Sequence, residues 1–166
     1  MRKTNRIILM AVLTAVIIAF IGISYSQNRG VLEVFGKLEK DNKALTDGEI
    51  KIYLDGVVTE VINTNLLGRF EFYLQYDKDY IVEFSGPGLI TKKIAFNTKL
   101  PERASRRTYR EFTFVLDLFT HVDKVDLSFF EDELVKIEYN QNSGDFSFAE
   151  QETAARLETA NSLKRE

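Results

Sequence analysis

The sequence predicts a mostly β protein: an antiparallel β-sandwich behind an N-terminal apolar segment, closed by a C-terminal helix. Three observations predict it. Between Val31 and Phe119 apolar residues recur with a period of two. Turn-forming residues interrupt that pattern about every 8–12 residues, the spacing of antiparallel sandwiches. No stretch within those limits has helical period.

In chain order, Met1 to Arg6 carries Arg2, Lys3 and Arg6, and an apolar run from Ile7 to Ile23 follows, broken only by Thr14 and Gly22. Ser24-Tyr25-Ser26 then places small residues at both positions that a signal peptidase reads. A positive n-region, an apolar h-region and a small-x-small site together predict a secretory signal over residues 1–26, cleaved before Gln27. The rival reading is an uncleaved anchor, in which residues 7–23 alone touch the membrane, since a span needs roughly 17–25 apolar residues. Both readings export residues 27–166, because the positive flank stays inside.

Residues 27–119 form the predicted sandwich. Ile50, Ile52 and Leu54 alternate with Glu49, Lys51 and Tyr53, and Phe70, Phe72 and Leu74 with Arg69, Glu71 and Tyr73. Tyr80, Val82 and Phe84 alternate with Ile81, Glu83 and Ser85. Further on, Phe112, Phe114, Leu116 and Leu118 alternate with Glu111, Thr113, Val115 and Asp117. Asp55-Gly56 between two such runs is a strong hairpin signal, because both turn positions favour positive φ. Gly68 closes the loop from Asn63, and Tyr76-Asp77-Lys78-Asp79 and Gly86-Pro87-Gly88 make further turns. Residues 120–147 read as a β extension, with a strand over Leu134 to Tyr139 and a turn at Asn140 to Asp145. Residues 148–166 read as the helix, opened by Ser147 and Glu150 in capping-box spacing. Its stripe of Ala154, Leu157, Ala160 and Leu163 is narrow, so it frays, packs on the domain or meets a partner helix.

Composition excludes several function classes. The chain has no cysteine, which removes disulfides and an N-terminal lipoprotein anchor and fits a bacterial periplasm. Without residues 1–26 it keeps 19 basic groups against 25 acidic ones, a net charge of −6. Phosphate backbones demand clustered cations, so nucleic acid is not the expected partner. Arg103, Arg106, Arg107 and Arg110 form the nearest approach to a basic patch and read as a solvated loop rather than an anion site.

Reaction chemistry finds little to work with. His121 is the single histidine, and with Asp123 and Asp126 it offers at best a weak surface metal site. It would also have to serve as the base of any nucleophilic site, with no nucleophile motif in the chain. Two acidic groups, Glu131-Asp132-Glu133 and Asp77, Asp79 and Glu83, could bind calcium but lack EF-hand spacing and read as solvated edges. Ser85-Gly86-Pro87-Gly88 lacks the phosphate-loop form. No catalytic, cofactor-binding or metal residue is therefore assigned, no cofactor is expected, and the chain reads as a non-enzyme.

The segment from Val31 to about Phe119 resembles the carboxypeptidase regulatory-like domains, transthyretin-like (prealbumin-like) β-sandwiches of exported Gram-negative envelope proteins. Val34-Phe35-Gly36-Lys37 looks like the opening V-x-G-x strand, and Leu45, Gly48 and Ile50-Lys51-Ile52 look like the loop and V-x-V step. Asn63 to Phe70 is similar to the T-[DN]-x-x-G-x-F turn, and Tyr80-Ile81-Val82 to the Y-x-[VL] strand. Gly88-Leu89 stands where the family usually has Gly-Tyr. The resemblance covers a little over half the chain and implies a scaffold or interaction module. Peptidase activity is not implied, since the zinc catalytic unit that the domain accompanies in metallocarboxypeptidases is missing from this sequence.

The expected function is thus an exported, non-catalytic structural or protein-interaction module. It would be an accessory subunit of a periplasmic or outer-membrane assembly, with strand edges and the terminal helix meeting an envelope protein partner. The alternative is a β-sandwich that binds a peptide, a glycan or a small ligand on an aromatic platform of Tyr53 and Tyr73. For those tyrosines the plainer role is cross-strand pairing.

Overall fold

Alternation of apolar and polar side chains gives most strands one face for a core, and two sheets bury those faces against each other. The computed structural model describes residues 30–104, 109, 111–120 and 132–149. In the smaller sheet β1 (Val31–Lys40) is central; β2 (Lys43–Ala44) folds back on its end, and β5 (Arg69–Gln75) and β8 (Phe112–Asp117) pair with it. The larger sheet runs β10 (Asp145–Phe148), β9 (Val135–Asn140), β7 (Lys92–Asn97), β6 (Asp79–Ser85), β3 (Glu49–Leu54), β4 (Val57–Asn63). No helix occurs among the described residues.

The strands expected from alternation are present with the expected faces. In β5, Phe70, Phe72 and Leu74 are buried while Arg69, Glu71, Tyr73 and Gln75 are exposed. Ile50 and Ile52 of β3 and Tyr80, Val82 and Phe84 of β6 point into the same core. Asp55 and Gly56 make the expected two-residue turn, with φ of 52° and 77° and Leu54 facing Val57.

Pairing direction departs from the expectation. β1 and β8 run parallel, as do β7 and β9, so the sandwich is mixed rather than antiparallel throughout. The chain changes sheet between β7 and β8 and again between β8 and β9. A strand that arrives by such a crossover is free to lie parallel to its neighbour, whereas a tight hairpin forces antiparallel pairing.

The C-terminal helix meets a second departure. Ser147, its expected cap, and Phe148, its expected first residue, belong to β10, where Ser147 faces Glu138 and Phe148 faces Ile137. Phe148 packs its ring 5.3 Å from Phe112, and that contact favours an extended backbone over a helical turn. Residues 150–166 lie outside the described residues, as do residues 1–29 with the apolar segment.

Phenylalanines join the two sheets. Phe70 stands 5.4 Å from Phe84 and 5.6 Å from Phe114, and Phe72 stands 5.9 Å from Phe96, centroid to centroid. Two buried threonines tie loops to this core. Thr64 Oγ1 accepts the Gly48 N–H at 3.0 Å and donates to the Leu45 carbonyl at 2.7 Å. Thr98 Oγ1 accepts the Lys78 N–H at 3.0 Å and lies 2.8 Å from the Gln75 carbonyl, holding the turn in which Asp77 adopts a φ of 62°. Each hydroxyl replaces water for backbone groups that would otherwise be buried without partners.

A second aromatic cluster closes one end of the sandwich. Tyr76 stacks on Phe146 at 6.1 Å, and Tyr109 meets Tyr76, Tyr139 and Phe146 edge-on at 5.6–5.8 Å. Burial, reinforced by Tyr109, Asp145 and Glu33, pushes the Tyr76 phenol up to about 12. Above its ordinary value near 10 the unfolded chain gives up this proton while the folded chain keeps it, so stability falls as pH rises toward 12. The expected loss is roughly 1–2 kcal/mol. Urea midpoints at about pH 9 and about pH 11.5 measure it, and Tyr76→Phe should shrink the difference, leaving what Tyr80, whose phenol burial also raises, contributes.

Candidate functional site

β4 is the outermost strand of the larger sheet, and among the described residues its one strand neighbour is β3. Six of its seven residues are exposed, Ile62 being the exception. Val57 is 65% exposed and Val61 50%, and the turn that follows adds Leu66 at 87% and Leu67 at 57%. With Val58, these make five of the nine large apolar side chains exposed among the described residues, all within one short stretch of chain.

Local chemistry explains why the strand still forms. The Asp55-Gly56 turn sets the register, and Thr64 continues the ladder by donating its N–H to the Gly48 carbonyl at 2.9 Å. Antiparallel pairing alternates inward and outward groups along a strand. The N–H and C=O of Glu60 and Ile62 therefore face β3, and those of Val61 and Asn63 face away. Thr59 is the extra residue of a bulge, since Ile52 faces Glu60 and Tyr53 faces Val58. Its hydroxyl donates to the Ile52 carbonyl at 3.2 Å. Bulges, lysines and prolines are the usual guards of a sheet edge. β4 has the bulge at one end, and from Glu60 onward it has neither Lys nor Pro.

Gly68 sets the apolar turn beside this edge. Its φ is +71°, and a Cβ there would meet the Leu38 carbonyl oxygen at 2.6 Å. Asn65 Oδ1 accepts the N–H groups of Leu67 and Arg69 at 2.8 and 3.0 Å. The bonds hold the loop backbone while the leucine side chains project into water.

A groove of about 380 Å³ lies on the outer face of the larger sheet. Tyr53, Ile81, Glu83 and Lys93 line it from the sheet, with Asp55, Asp79, Asp132 and Glu133 around them. The two acidic groups noted in the sequence thus converge in part: Asp79 and Glu83 come from one, Asp132 and Glu133 from the other. Asp77 does not line it; its carboxylate accepts the Leu100 N–H at 3.3 Å. Lysines interleave with this face. Lys51 lies 2.9 Å from Glu49 and opposite Glu83, Glu83 lies opposite Lys93, and Lys99 pairs with Asp79. The hydrogen bond that Lys51 donates to Glu49 and the negative charge of Glu49, then that of Glu83, raise the Lys51 amine above its usual value. Among the described residues no three His, Cys, Asp or Glu side chains converge as metal ligands.

The aromatic platform of the alternative reading, Tyr53 with Tyr73, is not formed. β3 and β5 belong to different sheets, so the two rings lie on opposite outer faces of the sandwich. Tyr53 faces Ile81 and Val58 across its strands; Tyr73 faces Glu33 and donates its hydroxyl to Glu71. His121, Asp123, Asp126, Glu131, Arg106, Arg107 and Arg110 lie outside the described residues, and Arg103 is exposed.

Lys92 was not singled out by sequence reasoning. It takes an inward position at the start of β7, donates to the Asp117 carbonyl at 2.6 Å and lies 4.7 Å from the centre of the Phe119 ring. The larger sheet is thereby tied to the end of β8. An inward lysine followed by the β7 alternation of Ile94 and Phe96 is the signal that could have found it.

No family model matches the chain, and no curated protein matches it. Among solved structures it is similar to the Bacillus anthracis TIE protein, with a TM-score of 0.43, 16% identity, and 64% of this chain aligned to 22% of that one. A mutant of Acinetobacter radioresistens catechol 1,2 dioxygenase gives a TM-score of 0.41 and 12% identity over 63% of this chain and 57% of that one. Chlorocatechol 1,2-dioxygenase from Pseudomonas putida gives 0.38 and 11% over 57% and 62%. The chain therefore spans between about a fifth and three-fifths of those proteins, and none of these three TM-scores reaches the level of a shared fold.

Proposed function

We propose that this chain is an exported, non-catalytic interaction module: a small β-sandwich that serves as an accessory subunit of a cell-envelope assembly and holds a protein partner. The observation that carries the reading is the β4 edge. A strand with outward N–H and C=O groups, bare valines and two protruding leucines is a template for strand addition, in which main-chain bonds supply affinity and alternate side chains supply selectivity. Export rests on the apolar segment at residues 7–23 behind its basic flank. The finer assignment, a transthyretin-like domain of the carboxypeptidase regulatory-like kind, draws support from Gly36 buried in β1 and from the positive φ of Gly68 just before Phe70.

Val61→Lys tests the reading. A lysine on the exposed side of the edge leaves the core alone and, standing opposite Lys51, should lower the melting temperature by no more than a few degrees, while partner recovery after gentle crosslinking in envelope fractions should fall at least tenfold, about 1.4 kcal/mol. Undiminished recovery would remove β4 as the contact.

The outer-face groove favours a second reading, a site for a peptide, glycan or small ligand between Tyr53, Ile81 and the surrounding carboxylates. A thermal shift with such a ligand that disappears in Tyr53→Ala would favour it over the first.

A further inference from the structure

We infer that the β4 edge accepts a second copy of this chain, β4 against β4 in antiparallel register about a two-fold axis at Ile62. The inference rests on the interaction reading above and names the occupant of its edge. An isologous contact requires a surface that complements itself when reversed, and the stretch from Val57 to Leu67 meets that condition: its apolar ends cover each other and its one charge, Glu60, meets no like charge.

Place Ile62 opposite its own copy. Val61 then faces Asn63 of the other chain, and these are the residues whose N–H and C=O point away from β3, so they exchange ladder hydrogen bonds. Glu60 faces Thr64. The paired segment lies wholly past the bulge at Thr59, which would disrupt any register centred nearer the hairpin turn. Beyond it, Val58 and Val57 of each chain meet Leu66 and Leu67 of the other, so the exposed apolar groups at the two ends of the stretch cover one another. Glu60 is the single charge from Val57 to Leu67, and in this register it opposes no like charge. The product is one continuous sheet running through both copies.

The absence of cysteine makes the register readable by crosslinking. Ile62→Cys places a thiol on the two-fold axis in a pair whose Cβ atoms lie about 4.5–5.5 Å apart, within reach of a disulfide after slight adjustment. Protein recovered from envelope fractions should migrate at twice its mass after mild oxidation, whereas Val115→Cys, exposed on the other sheet, should stay single. Should Ile62→Cys fold poorly, Val61→Cys mixed with Asn63→Cys gives the same information from exposed positions inside the paired segment: linked heterodimer from the mixture, little from either alone. Linkage that is equal at Val115 and Ile62, or absent from both Ile62→Cys and the mixture, overturns the self-pairing. If the protein sediments as a monomer and stays unlinked while Val61→Lys still releases an envelope partner, the self-pairing falls and the interaction reading stands. If the register-specific dimer forms and no other protein depends on Val61, the self-pairing holds and the search for a different partner at this edge ends.

Discussion

Gly36→Val should unfold the protein or lower its stability by about 3 kcal/mol or more, a large share of the roughly 5–15 kcal/mol that holds a domain of this size. Gly36 lies in the middle of β1 with its missing side chain aimed at the core. A Cβ there would stand 2.3 Å from Phe70 Cζ and 2.9 Å from the Phe114 carbonyl oxygen. The first contact is with a ring held by Phe72, Phe84 and Phe114, and the second is with backbone, so neither yields cheaply. Overpacking of this kind costs about 1–3 kcal/mol even for a methyl group, and valine adds two more carbons. Urea unfolding of Gly36→Ala and Gly36→Val gives the magnitude. Shortening the obstructing ring identifies the cause: in Gly36→Ala combined with Phe70→Leu the two losses should fall short of additivity by about 1 kcal/mol or more. Strict additivity would mean that the ring is not what the new methyl strikes.

Phe72→Ala should cost about 3–5 kcal/mol. The side chain is 1% exposed, stacks beside Phe70 and reaches Phe96 in the opposite sheet, so its removal leaves a void that both sheets line. Its neighbour provides the control. Tyr73 is 51% exposed on the outer face, and Tyr73→Ala should shift stability by no more than about 0.5 kcal/mol. A denaturation midpoint for each variant tests the pair; comparable losses at residues 72 and 73 would place the core on the wrong side of β5.

Much of this architecture is legible in the residues because a two-sheet core imposes a period of two wherever one face is buried. β3, β5, β6 and β8 declare themselves in that way, and Asp55-Gly56 declares its hairpin through the positive φ of both residues. What the period cannot encode is which strand lies alongside which. The parallel neighbours β8 and β9 arrive by crossovers, and the alternation of Phe112, Phe114 and Leu116 is the same for either direction. The same gap separates Tyr53 from Tyr73: each is legibly outward, but two outward residues share a face only if their strands share a sheet. Local chemistry without a period is also hard to read. Asp41 and Asn42 make the β1–β2 turn at φ of 52° and 61° with no glycine, and Thr64 and Thr98 are buried although threonine ordinarily reads as surface. The Ser147 capping pattern misleads because a Phe148–Phe112 contact outweighs a weak local signal.

The candidate surface was less legible than the core. Val57, Val58 and Val61 look like core material in a sequence, and only the position of β4 at the end of its sheet leaves them exposed. One trace was available. The run from Val57 to Asn63 breaks strict alternation and carries no Lys or Pro, which is unusual for an edge that meets only water.

Residue-resolved amide exchange along β4 addresses the proposed contact most directly, comparing dilute purified protein with the assembled form from envelope fractions. Glu60 and Ile62, bonded to β3, should be slow in both states. Val61 and Asn63 should exchange quickly in the dilute protein and slow at least tenfold on assembly, about 1.4 kcal/mol of added protection. Rates at Val61 and Asn63 that are unchanged on assembly would contradict the assignment of this edge as the surface through which the protein works.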